Sequence, residues 1–161
     1  MQTVYIETSI VSFLRARPSA HVVSAARQLL TRRWWDQERS KYELVTSQYV
    51  LDEASQGHTE LAKERLLTLN GIPLIDLPDE VPSLADELIG AALLPANARL
   101  DALHICAASI HQLDYLLTWN CTHIANARIL PRVRRFLIER GYNLPEVCTP
   151  EEMLDDEFPF E

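Results

Sequence analysis

Three carboxylates and one amide fall at places where they could act together. Glu7 directly follows the strand-like run Thr3-Val4-Tyr5-Ile6, and Asn120 follows the apolar run Tyr115-Leu116-Leu117-Thr118-Trp119. Glu53 sits about two turns into the helix-like segment Gln48 to Ala54, and Asp101 lies in the first turn of the segment Arg99 to Ile110. No Lys or Arg is adjacent to any of the four, so the set offers oxygen ligands of the kind Mg²⁺ or Mn²⁺ takes. Two carboxylates about 4 Å apart repel by roughly 4 kcal/mol at an effective dielectric of 20. Clustered acids therefore call for a cation among them, or for one of them to keep its proton. A divalent ion held by Glu7, Glu53 and Asp101 would activate water and stabilise charge developing on a phosphodiester. Each residue also has a plainer reading. Glu7 can end a strand and face water, Glu53 can be solvated, and Asp101 can complement the dipole of its helix.

The elements that must position these groups are readable from pattern. Thr3–Ile6, Glu43–Thr46, Ile72–Leu77, Tyr115–Trp119 and Glu146–Cys148 read as strands, rich in β-branched and aromatic residues. Pro73 puts the third of them at a sheet edge. Helices are expected over 20–39, 48–54, 60–69, 81–94, 99–110 and 131–140. In the first of these, Val22, Val23, Ala26, Leu29, Leu30 and Trp34 share one broad apolar face. Ser47 and either Thr8 or Ser9 are placed to cap helices. Thr149-Pro150-Glu151-Glu152 is a capping-box signature. Strands alternating with helices imply an α/β domain with a central parallel sheet of four to five strands and helices on both faces. All carboxyl ends of such a sheet share one rim, where Glu7, Glu53, Asp101 and Asn120 can converge. The domain spans 1–150, and 151–161 is an acidic tail in which Phe158 and Phe160 are candidates to dock on a neighbour.

The 161 residues suffice for one domain with a sizeable core, and the net charge of −8 argues against broad non-specific binding of nucleic acid. Three cysteines, odd in number and widely spaced, suit a reduced cytoplasmic protein. The amino terminus enters a strand without a signal-peptide pattern, and no apolar run reaches the ~18–20 residues of a membrane span. His104, one helical turn after Asp101, can bond that acid or a phosphate, or be a satisfied core residue. Cys121-Thr122-His123 is at most half a zinc site, and His123 reads as a helix-start residue. Arg128, Arg132, Arg134 and Arg135 are candidate RNA-phosphate contacts, or simply a solvated helix face.

Taken in order, Val4-Tyr5-Ile6-Glu7-Thr8-Ser9, Leu51-Asp52-Glu53-Ala54, Leu100-Asp101-Ala102-Leu103-His104-Ile105-Cys106-Ala107-Ala108 and Asp114-Tyr115-Leu116-Leu117-Thr118-Trp119-Asn120 resemble PIN-domain proteins. The likeness is greatest to the VapC-type toxins of bacterial toxin–antitoxin pairs, and Cys148-Thr149-Pro150-Glu151-Glu152 is similar to their closing segment. The resemblance implies a PIN-like three-layer fold and a Mg²⁺-dependent endoribonuclease, usually a homodimer held inactive by a cognate antitoxin. The first acidic position of the family matches Glu7, with its following hydroxyl at Ser9. The second matches Glu53 and the third Asp101. The fourth, commonly Asp, falls on Asn120, which keeps an oxygen but removes a negative charge. Two functions follow as expectations. One is RNA hydrolysis by metal-activated water. The other is a PIN-fold RNA- or protein-binding module with weak or no nuclease activity.

Overall fold

The structure is a computed structural model, and it describes residues 1–155; Phe158 and Phe160 lie outside the described residues. Four short strands, β1 (Thr3–Ile6), β2 (Glu43–Val45), β3 (Tyr115–Leu117) and β4 (Glu146–Cys148), form one sheet in the order β2-β1-β3-β4. Every pair is parallel, with Val4 opposite Leu44 on one side and Tyr115 on the other. Val4, Tyr5, Ile6, Leu116 and Leu117 are fully buried, as strands covered on both faces must be.

Helices α1 (Thr8–Arg15), α2 (Val22–Gln37), α3 (Gln48–Ala54), α4 (Thr59–Leu69), α5 (Glu80–Gly90), α6 (Arg99–Ile110) and α7 (Leu130–Glu139) flank the sheet, consistent with a three-layer α/β arrangement. Helix α6 is buried continuously from Ala102 to Ser109, which is why its sequence is apolar all round. The chain leaves β1 for β2 on one side, then crosses to β3 on the other. The sheet therefore reverses its winding between β1 and β3, and the carboxyl ends of those two strands flank a crevice of the kind that binds ligands in open α/β sheets.

Two sequence expectations need correction. Ile72–Leu77 is not a strand: it touches the sheet through a single parallel bridge between Leu74 and Thr46. Thr46 donates to the Pro73 carbonyl and accepts from Ile75, while Pro73, lacking an N–H, cannot extend a ladder. The buried face of α2 also differs. Val22, Val23, Ala26 and Leu29 are exposed, whereas Gln28, Leu30, Thr31, Trp34 and Trp35 are buried. Gln28 is tolerated inside because its amide donates to the Arg17 carbonyl (2.8 Å) and accepts from the Ser19 N–H (3.1 Å). Thr31 likewise donates to the Arg27 carbonyl and accepts from the Trp119 indole. Polar side chains with partners have displaced apolar ones that find none.

The final segment does not extend the sheet. Glu151–Met153 form one 3-10 turn with no side-chain cap: Glu152 reaches back to the Thr149 N–H (3.4 Å) as a capping box implies, but the Thr149 hydroxyl donates to Glu152 (3.1 Å) instead of capping the turn. Asp155 pairs with Lys41 at 2.8 Å. Among the described residues, no helix is long and apolar enough to cross a membrane.

Candidate metal centre at the strand ends

Glu7 is the residue by which β1 becomes α1. Its backbone is extended, and its carboxylate, rather than Thr8 or Ser9, caps the helix by accepting from the Ser9 N–H at 2.8 Å. The same oxygen, Oε2, accepts from the Ser9 hydroxyl and from the Thr118 hydroxyl (2.9 Å) just beyond β3. Oε1 takes no hydrogen bond from the described residues, and it is not among the sealed polar atoms without a partner. One oxygen is thus pinned, while no described residue donates to the other. The residue is 4% exposed. Burial, the largest influence, pushes its pKa up; the His104 charge and the donors on Ser9 and Thr118 pull it down without cancelling the effect.

Glu53 arrives from α3, whose Val50 and Ala54 are buried. Its Oε1 accepts from the Thr8 hydroxyl (2.7 Å) and meets His104 Nε2 at 2.5 Å. His104 is fully buried in α6, and its Nδ1 meets the Tyr5 hydroxyl at 2.7 Å, which in turn meets Ser47 Oγ at 2.7 Å. Ser47 stands at the start of α3, yet its hydroxyl is spent on Tyr5 and caps no helical N–H. Burial pushes the Glu53 carboxyl up, but the His104 hydrogen bond and charge, with Thr8, outweigh it and hold the pKa below the ordinary value. Burial also raises the Tyr5 hydroxyl far above its usual range, so it stays a neutral link. Tyr5→Phe is expected to leave Ser47 and His104 short of a partner and to destabilise the fold by about 1–2 kcal/mol, measured by urea unfolding.

One ligand atom each from Glu7, Glu53 and His104 lies within 4.8 Å of the others. This is a set that could hold a metal ion. Two carboxylates with their proton affinities pushed in opposite directions sit together, and no Lys or Arg forms an ion pair with either among the described residues. Both His104 nitrogens are already engaged, so the imidazole fixes Glu53 in place more readily than it offers a lone pair. The carboxylate oxygens of Glu7 and Glu53 are donors of the type that a hard cation takes.

The fate of the other expected residues is mixed. Asp101 is outside the Glu7–Glu53–His104 group. Its Oδ1 accepts from the Asn120 amide (2.9 Å), and its Oδ2 meets His123 Nδ1 (3.0 Å). Asn120 in turn accepts from the His123 backbone N–H (3.0 Å) and donates its own N–H to Thr118 Oγ1 (2.9 Å). Thr118 therefore links the Asp101 trio to Glu7. Ser9 donates its hydroxyl to Glu7 and also accepts from the Trp119 N–H (2.8 Å). His123 starts no helix: it lies in a turn and holds Asp101. Asp52, the neighbour of Glu53, is exposed and bonded to Gln48. Arg128, Arg132 and Arg135 are exposed, Arg134 is half-buried, and no ion pair among the described residues links them to the acids.

Tyr5, Thr8, Ser47, Thr118 and His123 were missed as site residues at the sequence level. The one available signal was a hydroxyl within two residues of the end of a strand, as at Thr8, Ser47 and Thr118. Comparison with known proteins adds no family assignment: no family model, no curated protein and no solved structure matches the chain.

Proposed function

We propose that this chain is a divalent-metal-dependent endoribonuclease of the PIN type, the toxin of a toxin–antitoxin pair. The observation that carries the reading is the meeting of Glu7, Glu53 and His104 at the carboxyl ends of the parallel sheet, beside its switch point. When bound, Mg²⁺ or Mn²⁺ supplies Lewis acidity and positive charge against a phosphodiester. The protein's own share is positional. Glu7 and Glu53 would hold the ion, while Thr8, Ser9, Thr118 and the His104–Tyr5–Ser47 chain keep the two carboxylates in place. Asp101, fixed by Asn120 and His123, lies at the flank, where its charge bears on the same crevice.

The partners that go with this reading are RNA, a cognate antitoxin protein and a second copy of the chain. Val22, Val23 and Leu29, left exposed on α2, are apolar surface that a protein partner would cover. Cleavage of single-stranded RNA in Mg²⁺ by the wild-type chain and by Glu53→Gln tests the activity. A fall of at least about a hundredfold is expected, and equal rates would overturn it.

A second reading, an RNA- or protein-binding module without cleavage, draws on Asp101. Both of its oxygens are taken by neighbours, which leaves two free-facing carboxylates where the family pattern implies more. RNA binding without cleavage by the wild-type chain would favour it.

A further inference from the structure

Arg27, on α2, has surroundings unusual for a surface cation. Its guanidinium carbon lies 5.2 Å from the centre of the Trp119 ring and 5.9 Å from that of Phe13, and these two rings meet edge to face. Among the described residues it forms no ion pair with any carboxylate, and its one polar side-chain contact is the weak acceptor Cys121 Sγ at 3.9 Å. A guanidinium lying on aromatic faces keeps its N–H edge open for a planar, bidentate contact with an oxyanion.

The platform is rigid and it adjoins the site. The Trp119 indole N–H is anchored on the Thr31 hydroxyl (2.7 Å), and that hydroxyl also bonds the Arg27 carbonyl. The Trp119 backbone N–H donates to Ser9 Oγ, and Ser9 donates to Glu7. Phe13 stands on α1, the helix that Glu7 caps. Arg27 is therefore connected to the Glu7 cap through Trp119 and Ser9.

Electrostatics gives that position a use. A chain of net charge −8, with two acids in its crevice, repels an incoming polyanion unless a local cation receives it. We infer that Arg27, on its Phe13–Trp119 platform, is a phosphate-binding subsite that holds a phosphodiester of single-stranded nucleic acid next to the one presented to Glu7 and Glu53. This rests on the nuclease reading for what happens at the neighbouring phosphate, but not for the contact itself.

Fluorescence anisotropy with an RNA and a DNA oligomer of the same sequence, in chelator, tests the subsite on the full chain. Relative to wild type, Arg27→Gln is expected to weaken binding about tenfold on both oligomers, and Arg27→Lys about threefold. The slope of log affinity against log salt should fall by about 0.7 in Arg27→Gln, the share of one phosphate on a single strand. A merely structural role would lower the melting temperature and leave that slope alone. Unchanged affinity and slope, a loss confined to one oligomer, or no binding by wild type would each overturn the subsite. The nuclease assay on the same proteins separates the two ideas. Arg27-dependent binding without cleavage sinks only the nuclease, and cleavage with Arg27-independent binding sinks only the subsite.

Discussion

Glu7→Gln is expected to make the metal-free chain more stable at pH 8 while abolishing any activity that depends on a divalent ion. The sign follows from where the carboxyl sits. Its pKa is raised in the folded chain above the ordinary 4.5, so folding binds its proton more tightly than unfolding does. That contribution to stability is fully present below the ordinary value and is lost as pH rises through the raised one. Above it, a buried charge is left facing Glu53, another acid. Glu53, with its lowered pKa, contributes the other way: its stability is present above the ordinary value and fades as pH falls through the lowered one. Glu7 therefore dominates the slope on the alkaline side. Gln keeps the shape and can still accept from Ser9, but it carries no charge. A gain on the order of 1–2 kcal/mol, or roughly 3–8 °C in Tm, is expected at pH 8 in chelator, shrinking towards pH 4. Differential scanning calorimetry across that range measures it. Wild type should recover stability on addition of Mg²⁺ or Mn²⁺, more at pH 8 than at pH 5, because the ion must displace a proton. Glu7→Gln should show no such recovery, and RNA cleavage should fall at least about a hundredfold.

The second large effect concerns Asn120, where the family resemblance and the geometry point in different directions. By analogy, Asp at this position would complete an acidic set. In the structure the Asn120 amide donates to Asp101 Oδ1 at 2.9 Å, a bond that no carboxylate can make. Asn120→Asp would place two carboxylates at that separation, next to the His123 imidazole that Asp101 already meets. In chelator at pH 8 the variant is expected to lose about 2 kcal/mol, roughly 4–8 °C in Tm. Acidification should restore it, since a proton shared by the new pair is bound only in the folded state. Equal stability of the two proteins at pH 8 would show that the amide does not hold Asp101. Asn120 is, on this geometry, matched to Asp101 and not merely a missing acid.

Those two residues also show how far the sequence could be read. Glu7 and Glu53 were legible because each is a carboxylate at a junction whose apolar pattern is unambiguous, Thr3–Ile6 before one and Val50 to Ala54 around the other. The strand at 115 was legible for the same reason, since a buried parallel strand leaves an apolar run, whereas those at 43 and 146 each begin with an exposed Glu and bury only their last residue. Ile72–Leu77 was misread because its pattern is that of a strand, while Pro73 limits its pairing to one bridge. The face of α2 was misread because hydrophobicity marks what prefers burial, not what finds a partner. Val22 and Leu29 stay out, while Gln28 goes in with both its amide groups bonded. The hydroxyl framework was hidden for a different reason. Tyr5 meets Ser47 across 42 positions, and Thr118 meets Glu7 across 111, so each bond exists only after the sheet has formed. Local pattern carries no record of such pairings.

On the proposed function, Glu7 and Glu53 would hold one divalent ion between them, with His104 behind the second. A crystal of the chain grown or soaked in Mn²⁺, with anomalous diffraction data, addresses this directly. One strong anomalous peak within coordinating distance of both the Glu7 and Glu53 carboxylates is the expected result, with Asn120 still bonded to Asp101. A crevice without a peak at saturating Mn²⁺, or a peak held by Asp101 and touching neither Glu7 nor Glu53, would contradict it.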